Sequence, residues 1–270
     1  MNTPRTVRIL SWSLAGATLF MIFAGGMVTS LKAGDSVPDW PLSYGQLLPP
    51  MEGLVFFEHG HRMVGWLVGL FCIGLAVLQA PRAWALMGLV LFQGLLGGIR
   101  VLVVPRMPLD QTEAWRAGLA SIHALTAQGF FVLAWVTARR STPESLVPPP
   151  SPPPSGGRDL LPLVALGAVV IQAVLGILAR QANVLVMGHA IWGVVTVGFI
   201  SVLASRLSSL PLASVALAQA ALGLGSLALR MNTEGAPPSF AGALIRSAHV
   251  AAGALTLGLT VVARGSGRDS

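Results

Sequence analysis

Eight stretches of this 270-residue chain are long and apolar enough to cross a lipid bilayer, and no other feature limits its fold so strongly. Read between charges, they lie at residues 9–31, 63–81, 83–104, 117–138, 160–179, 185–205, 207–229 and 244–263. Only the third and the eighth contain a charge, Arg100 and Arg246, each near one end. A helix of about 20 apolar residues crosses roughly 30 Å of hydrocarbon. Lipid offers no hydrogen bonds, so each segment must satisfy its backbone internally, as a helix does. The expected fold class is an all-α integral membrane protein with eight transmembrane helices. Composition agrees: only 10% of residues are charged, against roughly 25% in soluble domains.

Loop charges give an orientation. An even number of spans puts both termini on one side, and that side carries nine of the 17 lysines and arginines. By the positive-inside rule the termini are expected in the cytoplasm, with a bacterial cytoplasmic (inner) membrane as the simplest location. The net charge of +7 is spread over loop ends, without a cluster or an aromatic-interleaved stripe, so nucleic acid is not an expected partner. The partner around the helices is membrane lipid. Cys72 is the only cysteine and falls within a span, so it reads as a small buried hydrophobe. The N-terminal segment shows no clear cleavage site and is expected to be a retained first helix.

Proline divides the chain. Ser141–Asp159 ("STPESLVPPPSPPPSGGRD") holds seven prolines in 19 residues and reads as a semi-extended cytoplasmic linker. It separates an N-terminal unit, residues 1–140, from a C-terminal unit, residues 160–270, with four spans each. "QGLLGG" at Gln93 matches "QAALGL" at Gln219, and His123 matches His249, both at an offset of 126. His61 and His189 stand 128 apart. A duplication explains this register, and short loops predict two pseudo-symmetric antiparallel four-helix bundles. The units differ in two respects. The first has a long loop, Thr29–Phe56, and it carries Glu58 three residues before its histidine, where the second has Val186.

Four of the five histidines belong to this repeat: His61, His123, His189 and His249. One histidine in a helix usually just bonds a neighbour. Four at matching places, inside or at the edge of spans, carry a functional expectation, because intramembrane ionisable groups are costly. They form two expected pairs, His61 with His123 and His189 with His249. Zinc wants four ligands, or three plus water, and no close-spaced metal motif appears. Haem iron needs two axial ligands inside an apolar cleft, which facing helices of a bundle supply. Haem is the best-fitting cofactor, with these histidines as the metal ligands. Its propionates need cations, and Arg62 and Arg246, beside and three residues before a ligand, are the preferred candidates. Glu58 shares a helix face with His61 and is the one carboxylate that plain electron transfer does not require. His59 points to another face and reads as a rim residue.

The segments "GGMVTSLKAG", "VPDWPLSYGQLLPP", "EHGHRMVGW", "QGLLGGIRV" and "ASIHALTAQ", with "MGHAIWG" and "SAHVAAG" in the second unit, resemble the haem A synthase family of respiratory-oxidase assembly. The resemblance is dense over Gly25–Gly129 and thinner beyond. It implies oxidation of the C8 methyl of haem O, the substrate, to the formyl of haem A. It also implies a haem b held by His189 and His249, a substrate site at His61 and His123, and a catalytic role for Glu58. That role is either to stabilise positive charge on the reacting carbon or to take a proton. Many members carry two cysteines in the first long loop, and this chain has none there. Haem O synthase, a quinone or another electron acceptor, and a second copy of the chain are candidate partners on the same basis. Two other readings compete: a di-haem b-type cytochrome in quinone-linked electron transfer, and a non-catalytic haem carrier. The first often spaces two histidines about 13–14 residues apart on one helix, a spacing absent here.

Overall fold

The computed structural model describes residues 4–143, 160–232 and 239–265. The expected proline-rich linker lies, but for its first three residues, outside them. Eight helices run in order: α1 (Arg5–Ser30), α2 (Gly53–Val77), α3 (Ala83–Leu102), α4 (Leu109–Arg140), α5 (Leu161–Gln181), α6 (Val186–Arg206), α7 (Leu210–Asn232) and α8 (Phe240–Gly265). Each is long and apolar enough to cross a membrane, and no strand occurs among the described residues. The protein is an all-α, multi-pass membrane protein.

Four helices, α1, α2, α4 and α8, begin earlier than charge-free stretches predict. Helix α2 starts at Gly53, ten residues before its expected start, so Glu58–Arg62 lies inside the helix. The charges are tolerated because Glu58 and Arg62, four residues apart on one face, neutralise each other through a 2.7 Å ion pair. Helix α4 gains a polar extension from Leu109, carrying Asp110, Glu113 and Arg116. Helix α8 starts at Phe240.

Sequential helices pack as hairpins, α1 on α2, α3 on α4, α5 on α6 and α7 on α8, while α1, α4 and α5 meet α8 or each other across the middle. One apolar core joins Leu14, Val68, Cys72, Leu75, Leu86 and Phe130. A second joins Val169, Ile200, Leu203, Leu212 and Leu257. Both lie toward the α2–α3 and α6–α7 turns, so large side chains fill that end of the helices. The histidines stand at the other end, where the packing is polar and glycine-rich. Outward-facing side chains such as Leu70, Val77, Leu91, Val194, Leu217 and Leu224 are exposed, as a lipid-facing surface requires.

Where α1 crosses α8 the backbones nearly touch. A Cβ on Gly26 would stand 2.9 Å from Ser247 Cβ and 3.0 Å from its Cα. Small residues permit such approaches between helices in lipid. Nearby, Arg180 at the end of α5 donates to Gly26 O at 2.7 Å and Ser30 Oγ at 2.8 Å, bonding α5 to the end of α1.

Candidate functional site: two histidine pairs and a loop clamped to α2

His189 and His249 face each other with ring centres 6.0 Å apart and planes 80° apart. This distance has a chemical meaning. A metal–imidazole bond of about 2 Å on each side, with about 1 Å from each nitrogen to its ring centre, puts trans imidazole centres about 6 Å apart. The His249 tautomer fits as well: its Nδ1 lies 3.1 Å from Gln219 O, to which it donates, leaving the Nε2 lone pair free for a metal. His189 Nδ1 is buried without a hydrogen bond of good geometry, although the Gln172 carbonyl acts on it. The separation is compatible with two imidazoles that hold one metal ion between them.

Glycine places the rings. The Cβ positions of Gly176 and Gly223 lie 2.8 Å and 2.9 Å from Cε1 of His189 and His249, so any side chain there would displace the imidazole. His61 lies against Gly25 in the same way, at 3.1 Å. His123 does not lie on the matching glycine, since nothing comes within 4 Å of a Cβ at Gly97. His61 and His123 lie within electrostatic reach of each other.

Arg180 and Arg246 stand near each other beside the C-terminal pair. No carboxylate pairs with either among the described residues, although Arg180 Nη2 is engaged by Gly26 O and Ser30 Oγ. Arg62, the other expected propionate partner, is engaged elsewhere. Its Nη1 donates to Asp39 O at 2.7 Å and Leu42 O at 2.6 Å, with Ser43 Oγ at 3.4 Å, and its Nη2 donates to Glu58. Near His123 the cation is Arg100, which donates to Gly34 O at 2.7 Å. Asp35 lies 3.8 Å from Arg100 and 3.1 Å from Arg116.

Glu58 is buried, with 5% exposure, and both its oxygens have partners. Oε2 accepts from Ser36 Oγ at 2.8 Å and the Val37 amide at 3.0 Å, while Oε1 accepts from Arg62 at 2.7 Å. His59 is the residue that sequence reasoning misplaced. It is not at the rim but completely buried (0% exposure), with Nδ1 at 2.7 Å from Ser43 Oγ and Nε2 at 3.1 Å from Leu47 O. Its partners come from the loop, which no helical pattern reveals. Glu58, His59 and Arg62 thus hold the α1–α2 loop onto α2.

That loop has internal structure. A tight turn over Ser43–Gln46 puts Tyr44 (φ +53°) and Gly45 (φ +69°) in left-handed conformations, as a type I′ turn requires. Asp39 accepts from the Tyr44 and Gly45 amides, both at 2.7 Å. The Gly45 amide is the larger cause holding the Asp39 carboxyl below its ordinary value, with slight burial opposing it. Trp40, after which the Pro41 bond is cis, packs its ring on α3, where a Cβ at Gly98 would lie 3.2 Å away. The loop therefore closes over α2 and α3, beside the N-terminal histidines.

No family model matches the chain. Among curated proteins it is similar to haem A synthases. That of Azorhizobium caulinodans is 30% identical over 165 residues, 53% of this chain and 44% of the relative. That of Methylobacterium sp. strain 4-46 is 32% identical over 166 residues, 52% and 42%. That of Beijerinckia indica is 37% identical over 135 residues, 38% and 36%. The matches thus span less than half the length of these relatives.

Proposed function

We propose, from the premise that this chain belongs to the haem A synthase family, that it oxidises the C8 methyl of haem O to a formyl group. The observation that carries the haem reading is the 6.0 Å separation of His189 and His249, each set by a glycine on the neighbouring helix. In this reading His189 and His249 hold a resident haem b, whose chemistry is one-electron transfer, and Arg180 and Arg246 receive its propionates. His61 and His123 hold the substrate, haem O.

Turning a methyl into a formyl takes two successive two-electron oxidations, with the one oxygen atom supplied by water, the released protons passing to solvent and the electrons leaving to a quinone or another acceptor. Positive charge builds on the reacting carbon as electrons leave. Glu58 is the carboxylate assigned to that carbon. Hydrogen bonds from Ser36, Val37 and Arg62 fix it in place, so its field is preorganised and needs no reorientation. The protein supplies placement and field, and the macrocycle supplies the redox chemistry.

The experiment is co-expression with a haem O source, followed by acid extraction and mass analysis of the haems. Haem A appearing only when this protein is present supports the synthase. Haem O unchanged, in cells whose purified protein carries haem, favours the cytochrome or carrier instead.

A further inference from the structure

The contact that places each histidine is reciprocal. His189 of α6 lies on Gly176 of α5, while Gln172, one turn before Gly176, reaches back to Gly193, one turn after His189; its Nε2 would be 3.1 Å from a Cβ there. Helices α7 and α8 repeat this with His249 on Gly223 and Gln219 on Gly253, again at 3.1 Å. Helices α1 and α2 do so with His61 on Gly25 and Met21 Cε 3.0 Å from a Cβ at Gly65. Each interface exchanges side chains through two glycine gaps, one under the histidine and one four residues after it.

The fourth interface departs from this at one residue. Helices α3 and α4 carry the same frame, Gln93, Gly97 and His123, but the position four after the histidine is Ala127. Here Gln93 Nε2 donates to Thr126 Oγ1 at 2.7 Å and His123 O at 3.1 Å, and the space over Gly97 is empty to 4 Å. Ala127 thus carries a methyl at the position where the other three interfaces have a glycine facing Gln172, Gln219 or Met21. Gln93 bonds the α4 surface, and His123 does not lie on Gly97.

We propose that the residue four positions after each histidine sets how firmly that histidine is held, and so which haem stays. Gly193 and Gly253 clamp both ligands of the C-terminal pair around a resident haem. Ala127 leaves His123 a ligand that can let go, so the N-terminal site can release product and accept new substrate. The inference rests on the two-haem reading above and adds what distinguishes the two sites. Residues 127 and 253 act through the histidines and are positioning residues.

The test uses the full chain, purified from cells with a haem O source, as wild type, Ala127→Gly and Gly253→Ala. Excess apomyoglobin, a haem acceptor, is added and the loss of each haem is followed by absorption. Partners that orient a metal-ligating histidine typically change affinity by about 10–100-fold. Gly253→Ala should release haem b faster by a factor in that range, and Ala127→Gly should slow release from the N-terminal site comparably, with a gain in low-spin signal. Should Gly253→Ala fail to fold, Ala127→Gly decides alone, since it only removes a methyl. Wild-type protein carrying haem, with release rates unchanged in the folded variants, overturns the inference and leaves the two-haem reading standing. Wild-type protein carrying no haem overturns both.

Discussion

Glu58 and Arg62 are each other's counter-ion, and neither is free to act alone. Losing one partner of a buried ion pair costs about 3–5 kcal/mol, because the other charge is left uncompensated. A loss of activity in Glu58→Gln therefore has two sources, the missing charge and a loosened loop. Ser36→Ala separates them, because it removes one loop bond to Glu58 and keeps the carboxylate. With Glu58 at the reacting edge, Glu58→Gln should lower turnover by about 10²–10³-fold, the typical effect of one preorganised electrostatic group. Haem O or a hydroxylated haem should then accumulate. Ser36→Ala should keep most of its turnover, measured by the same haem extraction. Equal losses in both variants would give Glu58 a structural role only.

Among the elements, the α1–α2 loop and the α1–α8 crossing carry separate predictions. The Asp39 carboxyl is held below its ordinary value of 3.8, so its bonds to Tyr44 and Gly45 contribute fully above that value. They are lost as pH falls through the lower folded-state value. Protease cleavage within residues 39–46 should rise only in that acid range, and in Asp39→Asn it should be raised at neutral pH and nearly independent of pH. At the crossing, Gly26→Ala would drive a methyl into the Ser247 backbone. Overpacking of this kind costs about 1–3 kcal/mol, which thermal unfolding in detergent would show as a lowered Tm. The seven-proline segment lies, but for three residues, outside the described ones, while the helices themselves were legible as charge-free stretches. The start of α2 was not, because Glu58 and Arg62 read as a boundary until their pairing is known. Nor was the loop: His59 is buried by Ser43 and Leu47, residues 16 and 12 positions earlier, and no local pattern encodes that packing.

At the scale of the molecule, one helix-pair contact recurs with small changes, and those changes distinguish the halves. The matched histidines and the QGLLGG/QAALGL register were visible as spacing alone. That Gly65, Gly193 and Gly253 share a role, and that Ala127 breaks it, emerges only when each glycine is seen against its neighbour. The proposed division of labour sets a resident haem at His189 and His249 and a reacting haem at His61 and His123. The most direct test is the haem composition, by extraction and mass, of His249→Ala and His123→Ala purified beside the wild type from cells with a haem O source. His249→Ala should lose haem b and keep haem O, whereas His123→Ala should keep haem b and lose haem O and haem A. Loss of both haems together in each folded variant, or of neither, would contradict it.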